Sequence, residues 1–97
     1  SANQQTRVSI TFGNGDRSSA EQVAKVLKKN GFQVVSVTAA EADEQGEQLI
    51  SQVISTKRES EGAVAVAEIL SVQEVLLDIQ KDPAADVIVV VGKDMLP

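Results

Sequence analysis

Residues 8–32 constrain the fold more than any other part of the chain, because they predict a strand, a turn and a helix in succession. Val8, Ile10 and Phe12 alternate with polar residues, as expected of a strand with one buried face. The turn at residues 13–16 contains two glycines and an asparagine, which tolerate a positive φ. The chain therefore opens as a βαβ unit.

An amphipathic helix is predicted after this turn. Ser18 and Glu21 have the spacing of a capping box, which places the helix start near Ser18. Gly31 is suited to a left-handed C-cap, and residues 32–38 are typical of the next strand. The apolar positions of the helix share one face at helical spacing: Ala20, Val23, Ala24 and Leu27.

The rest of the chain completes a small two-layer fold. Strands are predicted over residues 49–56, 72–79 and 87–91, with a helix over 62–70. The valines of 62–70 also favour a strand, and 72–79 could continue the helix. Residues 87–91 are apolar on both faces, which favours an interior strand. We expect an α/β fold, as an α+β two-layer sandwich: β-α-β-β-α-β-β, one mixed sheet with two helices packed on one face.

The length of 97 residues predicts one domain, which we place at residues 7–97. Residues 1–6 are expected to be a disordered tail or the remnant of an expression tag. Because residue 1 is Ser rather than Met, we expect the chain to be part of a longer protein. No apolar run approaches the ~20 residues that span a bilayer, so direct membrane insertion is not expected.

The composition excludes several classes of function. Without Cys or His, the chain has no disulfide, no soft-metal ligand and no Ser-His or Cys-His catalysis. A net charge of −5 and only two aromatic residues argue against nucleic-acid binding. An enzyme would need a carboxylate or lysine with a strongly shifted pKa, and the sequence isolates none. We therefore expect a protein that is not an enzyme and needs no cofactor.

Two short motifs supply the candidate binding residues. Asn14, Gly15 and Asp16 occupy the strand-to-helix position of phosphate-binding loops, but the fingerprint is incomplete and Asp16 would repel an anion. Lys93 and Asp94 follow the last strand, where functional residues often gather. Turn chemistry alone explains the first motif and a solvated surface explains the second, and these structural interpretations are favoured over binding.

An acidic cluster could in principle bind a hard cation such as calcium. EF-hand spacing is absent, so a solvated loop is the favoured interpretation and no metal site is predicted. The cluster comprises Glu41, Asp43, Glu44 and Glu47.

The motifs at the two ends of the chain together resemble a known family. A strand runs into the Asn14-Gly15 turn, an Ala-rich helix leads to Gly31-Phe32 and a Val-rich strand, and Asp86-Val87 opens a strand that ends in residues 92–94. In this order and spacing, the chain resembles the C-terminal accessory domain of LytR/CpsA/Psr cell-envelope proteins. It departs from the family pattern after Asn14-Gly15 and at the charged residues 57–59.

The resemblance implies a place and a role. Parent proteins of this kind are single-pass membrane proteins whose separate extracytoplasmic domain transfers undecaprenyl-linked glycopolymers to peptidoglycan. Their catalytic Arg and Asp residues have no counterpart here. The chain would be a non-catalytic accessory domain, extracytoplasmic and tethered through a membrane-anchored parent. Its expected partners are a cell-wall glycan or an envelope protein.

Other roles stay open at this point. A soluble cytosolic regulatory domain could use the 13–16 turn as a small-ligand site. We expect Phe12 and Phe32 to be buried, which would leave no aromatic residue for stacking on sugars. A protein-binding or spacer role is therefore as plausible as glycan binding. An unpaired sheet edge would also permit a homodimer.

Overall fold

A computed structural model describes residues 6–12, 17–39 and 51–92. The predicted β-α-β-β-α-β-β order is confirmed. The elements are β1 (Arg7–Phe12), α1 (Arg17–Lys29), β2 (Gln33–Ala39), β3 (Gln52–Ser55), α2 (Glu61–Leu70), β4 (Val75–Leu77) and β5 (Val87–Val91).

The five strands form one mixed sheet in the order β2-β1-β5-β3-β4. β1 is parallel to both β2 and β5, whereas β3 is antiparallel to β5 and parallel to β4. β5 is therefore an interior strand, as its apolar sequence predicts. Each helix connects two adjacent parallel strands, so the sheet contains two βαβ units that run in opposite directions.

Both helices cover the same face of this sheet. Their buried side chains form one core with alternate residues of β1, β3 and β5, which confirms the two-layer arrangement. The strand residues of this core are Val8, Ile10, Val53, Val87, Val89 and Val91. The helical residues are Ala20, Val23, Ala24 and Leu27 from α1, and Ala63, Val66 and Ala67 from α2.

The start of α1 differs by one residue from the prediction. The helix begins at Arg17, so Ser18 lies in the first turn and is not the N-cap. Polar residues are common both at caps and in first turns, so capping-box spacing defines a helix start only to within about one residue. The end of α1 is as predicted, because Gly31 has φ 93° and Phe32 N–H donates to the Leu27 carbonyl at 3.0 Å.

Two further expectations are corrected, namely the length of β4 and the burial of Phe12. β4 is shorter than the predicted 72–79, since Ser71 ends α2 in a left-handed conformation and the chain needs several residues to reach β3. Phe32 is buried, but Phe12 is only half-buried. Phe12 packs against the edge of the core, and the guanidinium carbon of Arg17 lies 5.6 Å from the centre of its ring, so a cation covers part of the ring.

Candidate functional site

The five predicted site residues lie outside the described residues. They are Asn14, Gly15, Asp16, Lys93 and Asp94. The acidic cluster of residues 41–47 also lies outside them. What the described ranges do show is a buried carboxylate beside a charged pocket at one end of the sheet, and a polar cleft at the other.

The buried carboxylate belongs to Asp86, the residue immediately before β5. Its Oδ2 accepts the backbone N–H of Arg7 at 2.9 Å and Arg7 Nε at 3.3 Å, and its Oδ1 accepts Arg7 Nη2 at 3.1 Å. Lys57 Nζ lies 3.4 Å from the same Oδ1. These contacts join the start of β1, the start of β5 and the segment after β3, and we call the three residues the charge latch.

Backbone contacts hold the latch in place from both sides. Asp86 N–H donates to the Arg7 carbonyl at 2.9 Å. Thr56 N–H donates to the Asp86 carbonyl at 3.0 Å, and the Thr56 hydroxyl donates to the Ala85 carbonyl at 2.7 Å. Because the hydrogen bonds of the buried carboxylate are made within the protein, the latch is a structural feature of this end of the sheet.

The latch also sets the charge of Asp86. The hydrogen bond from the Arg7 guanidinium lowers the pKa of Asp86 to about 2, and burial opposes this effect. The Arg7 backbone N–H and the positive charge of Lys57 add to the lowering. The carboxylate is therefore ionised at neutral pH and has no proton to donate as a general acid.

A pocket of about 360 Å³ lies beside the latch. Its other lining residues include Glu59, Glu61 and Gly62 at the start of α2. Arg7 and Lys57 line the same pocket as these acidic residues, so the pocket has charges of both signs. Such a surface offers no strong preference for an anion or a cation.

The polar cleft lies at the opposite end of the sheet, where β3 and β4 begin. It has a volume of about 610 Å³. Ser71 and Val72 follow α2, and the lining is completed by residues from the starts of β3 and β4. The full lining set is Ser51, Gln52, Ser71, Val72, Gln73, Glu74 and Leu76.

Local structure explains why these segments meet. Ser71 has φ 60°, and its N–H together with that of Val72 satisfies the last carbonyls of α2, which turns the chain towards β4. On the other wall, the Ser51 hydroxyl accepts the Gly92 N–H at 2.8 Å and ties the start of β3 to the end of β5. The cleft is thus built on anchored backbone.

The chemistry of the cleft is that of a hydrogen-bonding surface. Hydroxyl groups, two amides and one carboxylate provide both donors and acceptors, while Val72 and Leu76 add apolar area. None of these residues was singled out from the sequence. The polar residues Ser71, Gln73 and Glu74 between a helix and a strand were the available signal, but residues 51 and 52 become their neighbours only through strand pairing.

Two further findings concern the described ranges. They contain no group of three or more Asp and Glu side chains placed to hold a metal ion. Among them, no helix combines the length and the apolar character needed to cross a membrane.

Comparison with known proteins supports one family. The family model described as LytR cell envelope-related transcriptional attenuator, LytR_C, matches residues 5–94. A search of curated proteins finds no match.

Two solved structures share the fold. One is the soluble domain (residues 71–217) of a conserved hypothetical secreted protein from Mycobacterium marinum, an Rv2700 ortholog, with TM-score 0.72 and 25% identity. The similarity covers 95% of this chain and 62% of that one, so this chain spans less than two thirds of its length. The other is the C-terminal domain of RV0431, solved in solution, with TM-score 0.60, 28% identity and coverage of 90% and 71%. The chain belongs to the LytR_C family, a family of non-catalytic C-terminal domains.

Proposed function

We propose that this chain is a non-catalytic accessory domain that acts by binding, on the extracytoplasmic side of the membrane, within a protein of cell-envelope biogenesis. The observation that carries the proposal is the LytR_C match over residues 5–94. The similarity to a domain of a secreted protein supports the same location. In this proposal, a separate catalytic domain of the parent protein attaches glycopolymers to peptidoglycan.

The charge latch supports a binding role over a catalytic one. Asp86 is the buried carboxylate of the described ranges, and its oxygens are already occupied by Arg7 and Lys57. A pKa near 2 keeps it ionised, and its hydrogen bonds keep it inside the fold. The polar cleft, by contrast, offers an accessible hydrogen-bonding surface.

The polar cleft suits a ligand rich in hydroxyl groups, such as the glycan strands of peptidoglycan. Gln52 and Gln73 each offer a donor and an acceptor, which match the two capacities of a sugar hydroxyl. Val72 and Leu76 can contact the C–H surface of a sugar ring. The net charge of −5 disfavours a polyanionic glycopolymer as the ligand. Without an aromatic residue in the cleft, we expect modest affinity.

Co-sedimentation with purified sacculi tests the ligand. We expect the wild-type domain to be retained and the double variant Gln52→Ala, Gln73→Ala to bind about tenfold more weakly, since each lost hydrogen bond contributes about 0.5–1.5 kcal/mol. Gln22→Ala, at an exposed position of α1, is the matched control and should bind like wild type. Absence of wild-type retention, or equal loss in the control, would refute glycan binding through the cleft.

The cellular location of the domain is tested separately, with a reporter fused to the protein encoded by the intact gene. A reporter phosphatase that is active only outside the cytoplasm, fused after this domain, should be active in living cells. An inactive fusion, with the same protein detected in the cytosol, would instead support a cytosolic regulatory domain.

A further inference from the structure

The free edge of β4 combines exposed backbone with exposed apolar side chains. β4 is the last strand of the sheet and pairs with β3 alone among the described strands. The chain stays extended beyond it, because Asp78 N–H donates to the Ser55 carbonyl and Gln80 N–H to the Thr56 carbonyl, both at 2.9 Å. The usable edge therefore runs from residue 75 to residue 80.

Backbone N–H groups alternate in direction along this edge, so every second residue can pair with another strand. Since Asp78 and Gln80 point their N–H groups at β3, the odd-numbered residues direct theirs outwards. Leu77 is 60% exposed and Ile79 is 54% exposed, the highest values among the large hydrophobic side chains described. Unpaired backbone beside such side chains is the pattern that attracts another strand.

The opposite edge of the sheet is protected. The pairing of β2 with β1 is irregular, because Val8 pairs with Val34 whereas Ser9 pairs with Ser36, which leaves Val35 as an extra residue. A bulge of this kind bends an edge and disfavours the addition of a further strand. The pairing of β4 with β3 is regular over Val75–Leu77. Beyond it, Asp78 and Gln80 donate to the consecutive carbonyls of Ser55 and Thr56, so the register shifts after Asp78.

We propose that the β4 edge pairs with the β4 edge of a second copy of this chain, antiparallel and with the two-fold axis at Leu77. In this register Leu77 faces its own counterpart, and Val75 faces Ile79. These odd-numbered residues are the ones whose backbone groups point outwards, so they form the hydrogen-bonded pairs of an antiparallel ladder. Glu74 then lies opposite Gln80, a pairing of an acid with a neutral amide.

Charge selects this register over its neighbours. Moving the axis to Leu76 would place Glu74 opposite Asp78, and moving it to Asp78 would place two copies of that carboxylate together. Like charges directly opposite each other destabilise a pair of strands. The Leu77-centred register avoids both repulsions and pairs the apolar odd-numbered residues with one another, with Leu76 opposite Asp78. A symmetric pairing closes without forming a filament.

The interface is small, because only about six residues of each chain take part. It lies at the low end of the size range of specific interfaces, so we expect a weak and reversible dimer. The dimer would join two five-stranded sheets into one continuous sheet. This inference goes beyond the proposed function and does not depend on it.

Disulfide trapping tests the register, because the chain contains no native cysteine. In the proposed dimer the two Leu77 Cα atoms are about 5.5 Å apart, within the range that a disulfide spans. Leu77→Cys should therefore cross-link readily under mild oxidation. Ile79→Cys, similarly exposed but off the axis, should cross-link at least about tenfold more slowly. Equal rates, or no cross-linking of Leu77→Cys, would overturn the proposal.

Analytical ultracentrifugation of the same chain tests the association itself. Leu77→Lys should raise the dimer dissociation constant at least about tenfold, or about 1.4 kcal/mol. Val64→Lys, at an exposed position of α2, is the control and should leave it unchanged. Circular dichroism verifies that both variants fold. A wild-type protein that remains monomeric at high concentration, or an unaffected Leu77→Lys variant, would overturn the proposal.

Discussion

The two βαβ units of the sheet share a connectivity but differ in how completely they are built. In the first unit, the edge strand β2 has seven residues and the 13-residue α1 buries five. In the second, the 10-residue α2 buries three residues, and the three-residue β4 lies at the edge. α1 also ends with two lysines and a glycine cap, whereas α2 has no basic residue in its last turn and is capped by Ser71.

This difference suggests that the first unit mainly stabilises the fold and that the second mainly provides binding surfaces. The first unit contributes more of the core and has favourable signals at its C-terminal end, so it should contribute more to stability. The second unit provides most of the polar cleft and the apolar edge of β4, which are the two surfaces that we propose to bind other molecules. Binding surfaces commonly lie in the less stable parts of a fold.

Truncation of one core residue in each helix should give the largest difference. Leu27→Ala in α1 removes a fully buried side chain and should lower the free energy of unfolding by about 2–5 kcal/mol. Ile69→Ala in α2 removes a half-buried side chain and should cost about 1–2 kcal/mol. Denaturant unfolding followed by circular dichroism measures both. Equal losses of unfolding free energy would show that the two units contribute equally to stability.

Breaking the charge latch should have the next largest effect, because it connects the two units. Asp86→Asn removes the charge that Arg7 and Lys57 contact, and should lower the free energy of unfolding by about 1–2 kcal/mol. Glu68→Gln, at an exposed position of α2, should change it by less than about 0.5 kcal/mol. Similar values for the two variants would mean that the latch adds little.

Acid should weaken the latch in a defined pH window. The pKa of Asp86 is lower in the folded chain than in the unfolded one, so its contribution is complete above pH 3.8 and is lost as the pH falls towards 2. The pKa difference corresponds to at most about 2 kcal/mol. Screening of the half-exposed Arg7 and Lys57 reduces this to about 1 kcal/mol. Unfolding measured against pH should show a smaller decrease in this window for Asp86→Asn than for wild type.

Exchanging the residues that end the two helices should give the smallest effects, with opposite signs. Ser71→Gly should stabilise the chain by about 0.5 kcal/mol, because glycine adopts the left-handed conformation of Ser71 without strain. Gly31→Ser should destabilise it by about 1 kcal/mol. Thermal unfolding detects both changes. Shifts of the same sign would contradict the role of these caps.

Local signals in the sequence predicted most of the fold. Alternation predicted β1, helical spacing and the Gly31 cap predicted the extent of α1 to within one residue, and an unbroken apolar run predicted the interior position of β5. These features depend on residues close together in the chain. The length of β4 was overestimated, because Ser71 adopts a positive φ and turns the chain before β4 begins. Positive φ is usually signalled by glycine or asparagine, and neither is present at this position.

The site was less predictable for a physical reason. Arg7 and Asp86 are 79 positions apart, and only the pairing of β1 with β5 brings them together. The polar cleft likewise combines the start of β3 with the end of α2. The order of charged and polar residues along the chain does not reveal which strands pair. Contacts between such distant segments arise only once the sheet has formed.

The most direct test of binding through the polar cleft is an NMR titration of the labelled chain with solubilised, uncharged glycan fragments of peptidoglycan. We predict chemical-shift changes concentrated at Gln52 and residues 71–74, with α1 unaffected. The Gln52→Ala, Gln73→Ala variant should show no such changes at the same fragment concentration. Changes located on α1, or an absence of changes in the wild-type chain at saturating fragment, would contradict the proposed role of the cleft.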